Sequence, residues 1–189
     1  MRTLLPLLII ALTSFILTNC SMEPSYQSWA EREFQSGVQN DSLFLGYYFG
    51  MPRQEFRDHS FEMNRQGLMT GLVNIEYQFE DLGNRATKIF YPEFNDDIIT
   101  RIPVQISYNA WAPWNEDTWP ENLMNDLKDY FEDIYGGRFR MVYVPDIERR
   151  ALVMIQGNRE IRLYRHSENS VMADFRDLNF FTPEKEDES

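Results

Sequence analysis

From Leu43 onward the chain switches between two hydrophobic periods, and the switches mark its elements. Leu43 to Phe49 is an apolar and aromatic stretch; Gly50, Met51 and Pro52 then open a segment with no further Gly or Pro before Gly67. Proline suits the first turn of a helix and glycine the position just past its end, so Pro52 and Gly67 predict a helix of about four turns. Phe56 and Met63 lie a heptad apart on it, and its inner face also takes Ser60 or His59.

After Gly71 the period drops to two. Val73, Ile75, Tyr77 and Phe79 share one side of a strand and Asn74, Glu76 and Gln78 the other. Strand-like runs follow at 85–91 and 98–108, the second with Ile102, Val104, Ile106 and Tyr108 in phase. Pro103 cannot donate to a ladder, which demotes that strand to an edge or marks a bulge. A second helix is announced by the capping-box spacing of Thr118 and Glu121. Its stripe is Leu123, Met124, Leu127, Tyr130, Phe131 and Ile134, and Gly136 and Gly137 end it. Four more strand runs close the pattern at 138–144, 151–156, 160–166 and 171–175, with Gly157 and Asn158 as a two-residue hairpin turn.

Helix, three strands, helix, four strands reads as an α+β domain: two helix-then-antiparallel-meander units, with helices packed on one face of antiparallel sheet. The expected organisation is a signal peptide at 1–19, a lipid-anchored polar tether at 20–42, one domain at 43–181 and an acidic tail at 182–189. The tether carries few apolar residues and no sustained period, with at most a helical turn around Trp29 to Phe34.

The first residues give the reason for an anchor. Arg2 precedes an apolar run from Leu4 to Leu17, the layout of a secretory signal. As a helix, its fourteen residues reach roughly 21 Å, short of the roughly 30 Å hydrocarbon core. The run ends in Leu17, Thr18, Asn19 and Cys20, which resembles the lipobox of bacterial lipoproteins; Asn19 departs from the small residue usual before the cysteine. The resemblance implies acylation of Cys20, palmitate included, and a place in the cell envelope on a membrane, the outer membrane in a Gram-negative bacterium. Each buried CH₂ adds about 0.8 kcal/mol, so two or three acyl chains hold a protein to a membrane durably.

A lipobox, a polar tether and a Gly50-Met51 step into a helix carrying Glu55 and Phe56, then an antiparallel meander, is similar to the small envelope lipoproteins of the SmpA/OmlA and beta-lactamase-inhibitor-like fold group. That likeness covers residues 44–79. The chain as a whole resembles uncharacterised lipoproteins of Bacteroidota-type bacteria. The first resemblance implies a binding role, as an assembly accessory or protein inhibitor, with no catalytic residues to carry over; the second carries no activity. The expected reading is a non-catalytic binding or assembly accessory, with a membrane as partner through the N-terminal lipid and an envelope protein or glycan as the other.

Composition narrows the chemistry. Cys20 is the only cysteine, which removes internal disulfides, thiol catalysis and cysteine-ligated metals. The formal charge is −12; without residues 1–19 it is −13, from 17 bases against 30 acids, and this sign argues against nucleic acid. Asp58, His59 and Ser60 are triad residue types, but consecutive helical positions point about 100° apart and cannot relay a proton. The acidic turns Glu93, Asn95, Asp96, Asp97 and Asn115, Glu116, Asp117 lack the alternation and glycine of a calcium loop; turn chemistry accounts for them. No metal site, cofactor or catalytic set is expected.

The unusual segment runs from Tyr108 to Trp119, where Tyr108, Trp111, Trp114 and Trp119 stand among Pro113, Asn115 and Asp117. The plainer account is that these rings pack over the open end of the core and brace the entry of the second helix. The functional one is a stiff contact surface for a protein or a stacking face for a sugar, which makes these four the candidate binding residues. The competing function is a secreted hydrolase acting on glycan through dispersed carboxylates near this tryptophan loop.

Overall fold

The computed structural model describes residues 25–71 and 73–181; the leader, Cys20 and the acidic tail lie outside the described residues. Three helices occur among them: α1 Tyr26–Gln35, α2 Arg53–Arg65 and α3 Pro120–Tyr135. The strands are β1 Met69–Thr70, β2 Ile75–Phe79, β3 Ala86–Phe90, β4 Glu93–Asn95, β5 Ile98–Tyr108, β6 Arg140–Val144, β7 Arg149–Gln156, β8 Arg159–Arg165 and β9 Val171–Asp177. All pair antiparallel in one sheet of order β1-β2-β3-β5-β9-β8-β7-β6, with β4 on β5 beyond the end of β3. The fold is α+β. No helix among the described residues is long and apolar enough to cross a membrane.

Alternation sorts the strand residues onto two faces. Phe79, Phe90, Val104, Ile106, Ala173, Phe175, Ile161 and Leu163 build the front core, where Phe56 of α2 and Leu123, Leu127 and Phe131 of α3 meet them. Phe44 and Tyr47, from the loop before α2, meet Phe90 edge to face with ring centroids 5.1 and 5.6 Å away. His59 and Ser60 do face inward: His59 Nε2 bonds the Leu45 carbonyl at 2.8 Å and Ser60 Oγ lies 2.9 Å from the Tyr47 hydroxyl. The stripe of α3, which passes over β5, β9 and β8, is buried at Leu123, Leu127 and Phe131 but leaves Ile134 exposed, while Tyr135 holds the last turn to the sheet with its ring 6.2 Å from that of Phe175.

Four expectations need correction. Helices do not all share one face, since α1 lies on the back of the sheet. Nor do residues 25–42 form a tether. Trp29 and Ala30 are buried against Val144, Ala151, Val153 and Ile155 of β6 and β7, and the Arg140 guanidinium sits 4.6 Å above the Trp29 ring. The chain beyond α1 is then pinned to the β7–β8 turn: the Asn40 N–H donates to Asn158 Oδ1 at 2.6 Å, and a Cβ on Gly157 would sit 2.0 Å from the Val38 carbonyl oxygen. Only glycine fits there, at φ +61°.

Pro103 lies in an interior strand, paired with Asp174 of β9, and not at an edge. The missing donor is absorbed because Pro103 stands opposite the break between β3 and β4 at Tyr91–Pro92. The capping box at Thr118 is not made either. Trp119 is the N-cap residue of α3, Pro120 occupies its first turn, and the Thr118 hydroxyl donates instead to the Asn115 carbonyl at 2.8 Å.

Packing of α1 on the sheet makes a direct prediction. Trp29→Ala should lower unfolding free energy by roughly 3 kcal/mol, the cost of emptying a buried indole site, as read by denaturant titration. A change within about 0.5 kcal/mol, normal for a surface position, would return this segment to the tether reading.

Candidate functional site

The four aromatic residues of the Tyr108–Trp119 connection are not gathered onto one surface. Tyr108 ends β5 facing the front core; it is buried, and its hydroxyl donates to the Asp126 carboxylate of α3, so burial first and then that bond push the phenol pKa up. Trp111 is half-buried in the turn that follows, with an indole N–H that finds no acceptor among the described residues. Tyr108 thus acts as packing at the sheet end. Trp114, by contrast, is 86 % exposed, and Trp119 at the start of α3 is 37 % exposed. Between these two indoles a turn of 3-10 helix, Glu116–Thr118, carries Glu116 and Asp117 on the surface. The outward-facing pair, rimmed by acids, is what remains of the predicted binding residues.

The other acidic loop is a hairpin turn. Asp96 and Asp97 both hold positive φ, 48° and 67°, the conformation that a two-residue turn between β4 and β5 requires. Asp97 is also tied to α2 by an ion pair with Arg53 at 2.6 Å. The helical trio is similarly dispersed, with Asp58 accepting from Gln54 at 3.0 Å while His59 and Ser60 serve the Leu45–Tyr47 loop.

A second site was missed in the sequence. Lys88 sits in mid-β3 between Ala86 and Phe90, on the side that faces the core, and is only 4 % exposed. The register places it opposite Tyr77 of β2 and Ile106 of β5. Its ammonium rests 3.8 Å from the centroid of Phe79, and Phe44, Tyr130 and Tyr77 stand 5.5, 5.6 and 5.9 Å away. Four ring faces offer a cation their negative quadrupoles. No hydrogen bond or ion pair joins Lys88 to another described residue.

This cage forms a wall of a cleft of about 250 Å³ between the Leu43–Leu45 loop, β2, β3 and α3. Its lining is apolar or aromatic apart from Lys88 and Asp81. Asp81, in the loop after β2, receives the Tyr130 hydroxyl at 3.5 Å. Burial lowers the Lys88 pKa from 10.5 to about 8, against the opposing charge of Asp81. Burial and then Asp81 push Tyr130 up to about 12. The cleft therefore couples an underpaired cation to an aromatic wall. The sequence did carry a signal for it: Lys88 is in phase with Ala86 and Phe90, a charge where alternation calls for an apolar side chain.

The chain matches no protein-family model, no curated protein and no solved structure.

Lys88 sets a pH test. An unfolded chain keeps this proton to about pH 10.5 while the folded protein releases it near 8, so in that interval stability rises with pH. The burial penalty is complete below pH 8 and gone above pH 10.5. The unfolding free energy of the wild type minus that of Lys88→Met should thus climb by up to roughly 3 kcal/mol between pH 7 and pH 10.5 in urea titrations. A difference that stays level with pH contradicts the buried, unpaired lysine. At the other site, Trp114→Ala should leave stability within about 0.5 kcal/mol of wild type.

Proposed function

We propose that the protein is an exported lipoprotein, acylated at Cys20, whose folded part is a non-catalytic binding accessory of the cell envelope. The observation that carries the binding reading is Trp114, a large indole left 86 % exposed in a connection whose Tyr108 is buried and whose Trp111 is half-buried. An exposed tryptophan beside a second, partly exposed one is the kind of anchor that fills a pocket on a partner. Glu116 and Asp117 flank it, which favours a protein surface with basic groups around that pocket. In this reading the fold comprises two helix-then-meander units, α2 with β1–β5 and α3 with β6–β9, meeting at the last strand of each. The strand order supports that reading of the fold, and the resemblance of residues 44–79 to the SmpA/OmlA and beta-lactamase-inhibitor-like lipoproteins implies a binding role.

Anchoring and binding are tested together on membrane-extracted protein. Its intact mass should equal residues 20–189 plus acyl chains, with the acyl mass lost in Cys20→Ala. Crosslinking in whole envelopes should then give a discrete protein adduct that Trp114→Ala weakens at least about tenfold at unchanged melting temperature. An unacylated mature mass removes the anchor; an adduct indifferent to Trp114 removes the proposed surface.

A further inference from the structure

A lysine buried among rings with no anion bonded to it is an arrangement that a ligand can complete. Solvent is kept from most of the Lys88 ammonium, because Phe79 covers it at 3.8 Å and three more rings stand within 6 Å. The aromatic faces stabilise the charge only in part, since an ammonium has three N–H donors and ring quadrupoles satisfy them poorly. The open side of the group is the cleft, whose other walls are Leu43, Leu45, Phe131 and Ile134. Apolar walls with one convergent charged group are the usual composition of a small-molecule site.

We propose that this cleft binds a small monocarboxylate with an apolar body, its carboxylate paired with Lys88 and its hydrocarbon lying against Phe44, Phe79 and Tyr130. Charge-assisted hydrogen bonds from an ammonium to a carboxylate are about twice as strong as neutral ones. Size and charge limit the ligand further. A volume of about 250 Å³ admits a medium-length chain or a single ring and excludes a diacyl lipid. One ammonium offsets one negative charge, and with Asp81 on the same wall no second cation lines the cleft, so the larger desolvation cost of a phosphate monoester dianion goes uncompensated and a monoanion is preferred. The Tyr130 hydroxyl at the cage, held protonated by burial and by Asp81, stays a neutral donor. None of the tryptophans lines this cleft, and the proposal stands or falls apart from the lipid anchor and the Trp114 surface.

The chain has three lysines, Lys88, Lys128 and Lys185, so selective ¹³Cε labelling gives a spectrum in which Lys88 is identified by a Lys88→Arg variant. The experiment titrates the full chain carrying Cys20→Ala with octanoate, octanol, octylamine and octyl phosphate. Octanoate should shift the Lys88 signal saturably and leave Lys128 and Lys185 in place, binding at least about tenfold more tightly than octanol. Octylamine and octyl phosphate should not saturate the site. In Lys88→Met the preference for octanoate over octanol, read by calorimetry, should disappear. Two results overturn the proposal on the Cys20→Ala chain with Lys88 in place: a Lys88 signal unmoved by millimolar octanoate, or one moved equally by octanol. Tighter binding of octyl phosphate than of octanoate overturns the monoanion assignment.

Discussion

Everything else in the molecule hangs on the pairing of β5 with β9. Six residues from Arg101 to Ile106 are zipped to Val171 through Arg176, so strands some 70 positions apart in sequence become the middle of one sheet. Closing a loop of that length carries an entropic cost that grows slowly with its size and must be met by contacts made across the seam. On the front, Ile102, Val104 and Ile106 meet Phe175, Ala173 and Val171 with near-zero exposure. On the back, the register would set Arg101 directly against Arg176. The clash is avoided because Arg101 reaches diagonally to Asp174, which accepts from its Nε at 2.7 Å and its Nη2 at 3.0 Å.

That choice propagates across the back of the sheet. Asp174 faces Arg162 of β8 and Arg176 faces Glu160, so charges alternate in a buried field. Arg162 lies 3.0 Å from Glu160, and Asp146 joins Arg162 and Arg176 at 2.5 and 3.3 Å. Burial drives the Glu160 carboxyl pKa upward against the pull of Arg162. Such an array is stable only when each charge is matched and covered, because removing one partner strands another in low dielectric. The cover over this part is α1, whose Tyr26 hydroxyl donates to Glu160 at 2.7 Å. An N-terminal helix that looks dispensable in sequence is therefore the lid on a charged sheet face.

This explains what could be read in advance and what could not. Alternation at 75–79 and 98–108 and the stripe on α3 were legible because they face one apolar core, and Gly157-Asn158 was legible because its turn chemistry is local. The helix at Tyr26–Gln35 was hidden: it buries only Tyr26, Trp29 and Ala30, partly against arginines, so its hydrophobic pattern is weak. Glu160, Arg162, Asp174 and Arg176 carry no signal of burial in the sequence, since a buried charge array has the same alternation as a wet strand face. The aromatic connection was visible as a cluster, but local sequence could not say that Tyr108 would turn inward and Trp114 outward. Lys88 was legible by phase alone; its cage comes from Phe44 and Tyr130, distant in sequence, and only the fold assembles it.

Native-state hydrogen exchange on the full chain tests most directly whether the β5·β9 seam holds the whole sheet together. The account predicts that β5 and β9 amides are among the slowest, opening with the free energy of global unfolding, and that β2–β3 and β7–β8 share that value. If strands β6 to β9 instead open at a free energy well below that of β1 to β5, with the seam exchanging early, the two halves fold apart and the central role of this pairing is wrong.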